Sequence, residues 1–341
     1  MYSESEIDAA VKAGVLPAVD AAAFREFVAR SHAAPGVDEE HFRLLSGFND
    51  IFVSIAAVLI LIAIGWLGGQ VAAWVGAAAV AATSWGLAEY FTRQRRMALP
   101  SILLLFGFVG GVFGTLAALL VEHSSFHQTP DAQQYLMIAA SVAGGAVAAY
   151  AHWRRFMVPI TVAAGAAAVG ATALLLMLAA FPEAQMLLRG ASFAVGLVIF
   201  CLAMWWDGSD RQRVTRRADV AFWLHLAAAP LIVHPTFGAL GLLGRGDPDF
   251  TSAGIAIALY VVLAVVALAV DRRALLVSAL AYVVYAISAL LRGAGSVSFA
   301  LAMAALVIGC CLLLLSALWH RARREAVGIL PSGLQMRLPP I

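Results

Sequence analysis

Long apolar stretches that alternate with short, arginine-bearing connections run from about Asn49 to Trp319. A bilayer core about 30 Å thick needs roughly 20 mostly apolar residues in each crossing helix. The chain is 62 % hydrophobic and only 12 % charged, whereas soluble domains carry about 25 % charged residues. The sequence therefore predicts an all-α, polytopic transmembrane helix bundle in a lipid bilayer and excludes a soluble globular domain.

Ten segments are predicted to cross the membrane, at about 50–67, 71–91, 99–121, 132–152, 156–181, 189–206, 218–243, 252–270, 273–292 and 296–319. Alternating the connections between two sides puts most arginines on one side, namely Arg93, Arg95, Arg96, Arg154, Arg155, Arg211, Arg213, Arg216, Arg217, Arg272, Arg273, Arg321, Arg323 and Arg324. Only Arg189, Arg245 and Arg292 are left for the other side. The positive-inside rule then predicts that both termini are cytoplasmic. Anionic lipids are the expected partners of these arginines.

The polar N-terminal region predicts a separate small domain. Ser3 and Glu6 match a capping box, Gly14 is a plausible helix stop, and Pro17 suits the start of a second helix. We expect a cytoplasmic helical hairpin with its linker at 1–36, an interfacial helix at 37–49, the ten-helix membrane domain at 50–320 and a basic cytoplasmic tail at 321–341. Because so short a hairpin buries little core, it is expected to pack against the membrane domain, another copy or a protein partner.

Arginine pairs recur about every 60 residues, before the third, fifth, seventh and ninth crossings. The pairs are Arg95-Arg96, Arg154-Arg155, Arg216-Arg217 and Arg272-Arg273. Internal duplication is one interpretation of this periodicity. The other is that any chain of tight helical hairpins that obeys the positive-inside rule repeats at about this length.

The seventh crossing combines two histidines, His225 and His234, with two prolines, Pro230 and Pro235. Proline removes a helix hydrogen bond, so the two prolines predict a kinked or broken helix. Broken helices with titratable groups are typical of transporter sites, which makes both histidines candidates for proton or substrate coupling. His234 is expected to face the bundle interior. The alternative is a histidine that bonds a neighbouring backbone carbonyl or lies near an interface.

Three acidic residues near crossing ends are further candidates for the coupling pathway. Asp50 and Asp219 stand where crossings begin, and capping of the helix start is the simpler interpretation. Glu89 precedes Arg93 by four residues, which predicts an i,i+4 ion pair. His152, beside Trp153 and an arginine pair, is expected in the interfacial belt.

Other chemistry has little support in the sequence. Glu122, His123 and His127 are weak candidates for a metal site at the end of the third crossing, with an ordinary polar loop as the alternative. The three cysteines lie in apolar segments without metal-ligand spacing. We find no nucleotide-binding or hydrolase motif, so no cofactor and no familiar enzymatic activity are predicted, with an intramembrane enzyme of an unrecognised kind as the alternative. Nucleic acid is not an expected partner either, since the basic residues flank membrane helices.

The chain resembles a group of uncharacterised bacterial inner-membrane proteins that have a short cytoplasmic helical hairpin followed by eight to ten arginine-punctuated crossings. The resemblance rests on residues 4–30, with Ala13-Gly14-Val15-Leu16 at the turn, and on the repeated hairpins. It implies this architecture and an inner-membrane location, without a known activity. The two histidines of the proline-containing seventh crossing lead us to expect a secondary transporter or permease for a small molecule or ion. The alternative is a membrane scaffold or sensor that recruits a partner through the N-terminal hairpin.

Overall fold

The computed structural model describes residues 4–32, 48–122, 130–181, 183, 187–213, 215–239, 250–291, 297–335 and 338. Within these residues the secondary structure is helical throughout, with no strand. The chain forms two compact units, Met1–Phe42 and Arg43–Ile341. The fold class predicted from the sequence is thus confirmed as all-α.

The first unit contains two helices, α1 (Glu4–Lys12) and α2 (Ala18–His32). Gly14 lies in the turn between them with φ of 71°, a left-handed conformation in which glycine pays no steric penalty. An ion pair of 2.6 Å between Asp8 and Arg25 links the helices. Most of the predicted interfacial helix at 37–49 falls outside the described residues.

Among the described residues, ten further helices overlap the ten predicted crossing segments. They are α3 (Phe48–Gly69), α4 (Ala73–Ala88), α5 (Ala98–Glu122), α6 (Asp131–Phe156), α7 (Ile160–Ala180), α8 (Leu188–Ser209), α9 (Arg216–Ala239), α10 (Phe250–Val270), α11 (Ala274–Leu291) and α12 (Val297–Ala317). In the described part of the chain, seven of these are long and apolar enough to cross a membrane: α3, α5, α6, α7, α8, α9 and most of α12. The other three, α4, α10 and α11, are 16, 21 and 18 residues long.

Of the seven long apolar helices, α9 is the most enclosed, since half of its 18-residue apolar stretch is buried. It packs along α8 and also contacts α7 and α11. Small residues allow close approach at these interfaces. A Cβ added to Gly196 of α8 would lie 2.9 Å from the carbonyl carbon of Leu231 on α9. Helix association in a membrane depends on such contacts because lipid gives no hydrophobic drive between helices.

Four connections on the arginine-rich side contain a non-glycine residue in the left-handed region. Arg96, Met157, Arg213 and Asp271 have φ values of 54–59°. One such residue follows each of α4, α6, α8 and α10, and the residues after Arg96, Met157 and Asp271 are buried. These four connections therefore turn in a similar way. The periodicity seen in the arginine pairs of the sequence is thus also present in the backbone conformation.

The expected basic tail at 321–341 is partly a packed helix. Helix α13 (Trp319–Gly328) follows α12, and the short α14 (Ser332–Gln335) follows α13. Trp319, Arg323 and Val327 are buried, and their spacing of four residues places them on one face of α13. This face packs against the arginine-rich end of the bundle, where Trp319 joins Leu268 and Leu275 in an apolar cluster.

Candidate functional site: a buried charge cluster and an apolar groove

His225 is completely enclosed on α9, at 1 % exposure. Its Nδ1 lies 2.8 Å from the carbonyl oxygen of Ala221. Because a carbonyl only accepts hydrogen bonds, Nδ1 carries the proton and Nε2 is left with a lone pair. Nε2 is buried and has no hydrogen-bond partner in the described part of the chain. The alternative of a histidine bonded to a backbone carbonyl is thus observed for Nδ1.

A carboxylate and a guanidinium, both buried, lie beside this histidine. Asp207 on α8 is 3.7 Å from His225 Nδ1. Arg272, from the α10–α11 connection, donates to both Asp207 carboxylate oxygens over 2.5 and 3.3 Å, and to the carbonyl of Ala218 over 3.1 Å. Asp207 and Arg272 are 2 % and 3 % exposed. Asp207 and Arg272 thus form a buried ion pair. Each charge compensates the desolvation cost of the other, so removing either partner is unfavourable.

A second carboxylate, Asp271, connects this pair to the neighbouring elements. Arg213 from the α8–α9 connection donates to Asp271 over 2.6 Å, and the indole of Trp319 donates to its other oxygen over 2.7 Å. Arg323 of α13 lies 3.6 Å from the same carboxylate. We call Asp207, Arg213, His225, Asp271, Arg272, Trp319 and Arg323 the charge cluster.

The geometry of the charge cluster favours a structural role, in which ion pairs hold neighbouring helices and connections together. It joins α8, α9, α13 and two connections that are distant in sequence, and its charged members are buried or nearly so. A related but exposed pair lies earlier in the chain, where Arg155 donates to both oxygens of Glu89 over 2.6 and 2.9 Å. Glu89 and Arg155 are 66 residues apart, and Asp207 and Arg272 are 65 residues apart. In both pairs an acid at the end of one helix meets an arginine near the next arginine-side connection.

His234 does not face the bundle interior, so that expectation is wrong. Its side chain is exposed, and its Nδ1 lies 2.5 Å from the hydroxyl of Tyr282 on α11. A polar ring at this depth does need a partner, and a tyrosine of the adjacent helix provides it. His225 and His234 therefore contact different side chains on different helices.

Helix α9 is also not broken. It runs without interruption from Arg216 to Ala239 through both prolines. Pro235 cannot donate to the carbonyl of Leu231, but α8 covers that position because Gly196 packs directly against it. Close packing thus replaces the wet cavity that a broken helix would require.

The three acidic candidates lie at helix ends. Asp50 is buried in the first turn of α3, and Asp219 lies in the first turn of α9. Both positions favour a negative charge because the helix N-terminus carries partial positive charge. Glu89 lies at the start of a π-helical turn, Glu89–Gln94, that extends α4. The predicted ion pair with Arg93 is confirmed at 3.3 Å, and Arg155 is an additional partner.

The proposed metal ligands lie mostly outside the described residues, since these include Glu122 but neither His123 nor His127. Among the residues that are described, no group of three or more potential ligands could hold a metal ion. The described residues therefore add no support to the hypothesis of a metal site.

An apolar groove of about 700 Å³ lies between α6, α7 and α8. It is lined by Ala146, Ala149, Tyr150, Trp153, Thr161, Val162, Gly165, Ala166, Val169, Gly170, Ala173, Ala194, Val195, Val198, Ile199, Leu202 and Trp206. Val169, Val198 and Tyr150 are each at least 60 % exposed, so the groove opens sideways onto the outer surface of the bundle. None of its lining residues is charged.

The arginine-rich end of the groove is aromatic. Trp153 and Trp206 meet edge to face with ring centroids 6.5 Å apart. Arg154 donates to the Tyr150 hydroxyl over 2.9 Å and lies over its ring. Thr161 places a hydroxyl in the lining, 3.3 Å from Nδ1 of His152. His152 itself is buried at 0 % exposure near the end of α6.

Sequence reasoning missed Asp207 and Asp271, although a signal for them exists. Asp207 lies in the last turn of α8, and Asp271 follows the end of α10. A negative charge is unfavourable at a helix C-terminus, which already carries partial negative charge, unless a cation compensates it. Acids at crossing ends followed by arginines thus indicate ion pairs between connections. The groove has no comparable sequence signal.

Comparisons with known proteins add no relative to this description, since no protein-family model, no curated protein and no solved structure matches the chain.

Proposed function

We propose that the chain crosses the bacterial inner membrane ten times, with both termini in the cytoplasm. The arginines that follow α4, α6, α8, α10 and α12 support this topology, because the positive-inside rule retains such connections on the cytoplasmic side. The topology requires α4, α10 and α11 to cross in addition to the seven longer apolar helices. It also agrees with the similar left-handed turns at four of the arginine-side connections.

Single cysteines in a variant whose three native cysteines are replaced by serine test the topology. Gln70 and Glu183, both exposed, should react with an impermeant maleimide in intact cells. Gln94 and Gln212, exposed in arginine-side connections, should react only after permeabilisation, since the inner membrane shields them. A permeant maleimide, which should label all four, is the control. Labelling of Gln212 from outside would overturn the ten-crossing topology.

We further propose that the protein is a secondary transporter or permease whose small-molecule substrate enters from the bilayer. The apolar groove carries this proposal. Its volume lies within the range of about 300–1,000 Å³ that is typical of small-molecule sites. A site that opens sideways and is lined by apolar residues suits a lipophilic molecule rather than a hydrated ion.

Helix α8 connects the groove to the charge cluster. Trp206 lines the groove, and the next residue, Asp207, binds Arg272. A second proton on His225 would place a cation 3.7 Å from Asp207, where it would compete with Arg272 for the carboxylate. His225 is therefore the coupling candidate of this proposal, and His234, hydrogen-bonded at the surface, is the second.

A flux comparison in a deletion strain tests transport. Metabolite profiling of the strain should identify a lipophilic or amphiphilic compound whose distribution across the membrane changes and is restored by the intact gene. Ala166→Phe should abolish most of that flux because it fills the groove, whereas Leu176→Phe, at an exposed position on α7 outside the groove, should retain it. Equal flux in both variants would contradict a substrate site in the groove.

His225→Gln should remove the pH dependence of the flux if His225 couples protons.

A membrane scaffold or sensor is the competing function, and one observation favours it. Val15, Val19 and Phe27 in the N-terminal unit are 65–79 % exposed, which is a large apolar exposure for a small hairpin. Deleting residues 1–36 separates the two proposals. A transporter should retain much of its flux without the hairpin, whereas a scaffold should lose its function.

A further inference from the structure

We propose that the ligand of the apolar groove is an anionic amphiphile, with its hydrocarbon chain between α7 and α8 and its acidic headgroup at Arg154. This inference rests on the proposed function, because it names the substrate class of the same site.

The groove has the length of one leaflet. Its lining extends from Thr161 to Ala173 on α7 and from Ala194 to Trp206 on α8. At 1.5 Å per residue each wall is about 18 Å long. Half of a bilayer core about 30 Å thick is about 15 Å. An amphiphile anchored at the arginine-rich side would thus place its chain beside both walls down to the middle of the membrane.

The walls suit a hydrocarbon chain. Gly165, Ala166 and Gly170 on α7 and Val195 and Val198 on α8 all line the groove with small or aliphatic groups. Thr161 supplies a hydroxyl, but that group already contacts His152. A polar ligand would therefore lose hydration along most of the groove without gaining partners, whereas an apolar chain loses nothing on entering from lipid.

The headgroup end is polar and positively charged. Trp153 and Trp206 are amphipathic rings of the kind that lie at headgroup level. Arg154 is exposed above Tyr150, and Arg216 lies at the same end, donating to the carbonyl of Met157 over 3.3 Å. No lining residue is acidic. A phosphate or carboxylate would find a guanidinium there, and a charge-assisted hydrogen bond to it would be stronger than one to a neutral headgroup.

Tryptophan quenching by brominated lipids measures binding directly. The full chain is reconstituted in nanodiscs of phosphatidylethanolamine and titrated with phosphatidylglycerol brominated on its acyl chain. We expect saturable quenching, because Trp153 and Trp206 border the groove. Brominated phosphatidylethanolamine, as the neutral control, should give only the gradual quenching of bulk lipid. A brominated fatty acid in place of phosphatidylglycerol distinguishes a carboxylate from a phosphate headgroup, and saturation by either one supports the anionic class.

Matched variants assign the binding to the groove. Arg154→Gln should weaken the apparent affinity about tenfold, as expected for one lost charge-assisted hydrogen bond, whereas Arg324→Gln, on the exposed face of α13, should leave it unchanged. Ala166→Phe should remove the saturable component, and Leu176→Phe should retain it. Size-exclusion profiles verify that each variant is folded.

Two results would overturn the inference: equal quenching by the neutral and anionic lipids, or an Arg154→Gln affinity equal to that of the intact chain. Because binding is measured at equilibrium, saturable anionic binding without flux would contradict the transport proposal alone. Flux of a neutral compound without anionic binding would contradict only the inference made here.

Discussion

Replacing Asp207 with alanine should destabilise the membrane domain by about 3–5 kcal/mol, the usual cost of removing one partner from a buried ion pair. The reason is that Arg272, at 3 % exposure, would remain charged in a desolvated site without its counter-ion. Reversible unfolding in mixed micelles of mild detergent and sodium dodecyl sulfate measures the loss. The double variant D207A/R272M should recover much of the stability, since it removes both charges.

The earlier ion pair provides a matched control for this prediction. Glu89→Ala removes the equivalent acid from a pair in which Glu89 and Arg155 have side-chain exposures of 31 % and 40 %. Exposed pairs contribute little because water already solvates both charges, so Glu89→Ala should destabilise the domain far less than Asp207→Ala. Equal losses in the two single variants, or no recovery in the double variant, would show that burial of the Asp207–Arg272 pair does not govern its contribution.

Gly196→Leu should separate α8 from α9 and destabilise the domain by about 1–3 kcal/mol or more, the range observed for overpacked cores. A Cβ at this position would lie 2.9 Å from the carbonyl carbon of Leu231, and backbone cannot move aside as a side chain can. The same reversible unfolding experiment measures the effect.

Two other glycines of α8 serve as controls for the second prediction. A Cβ added to Gly190 or Gly208 would have open space around it, with no neighbouring atom within 4 Å. Leucine at either position should therefore leave stability nearly unchanged, apart from the small gain expected when glycine is replaced within a helix. If Gly196→Leu behaved like these two variants, the close approach of α8 and α9 would not be required for folding.

Local features of the sequence were sufficient to predict much of the architecture. Apolar stretches long enough to span lipid become helices, because a helix satisfies its own backbone hydrogen bonds in hydrocarbon. The turn at Gly14 and the Glu89–Arg93 pair were also predictable, because each involves residues within a few positions of one another.

The tertiary structure alone decided which distant groups meet. Asp207 finds Arg272 across 65 residues, and His234 finds Tyr282 across 48, because packing fixes the rotation of each helix about its own axis. The two prolines in α9 suggested a break, but that helix is continuous and packs closely against α8. The groove likewise arises only where α6, α7 and α8 leave space between them. Hydropathy determines that a helix enters the bilayer, whereas the shapes of neighbouring side chains determine which of its faces is buried.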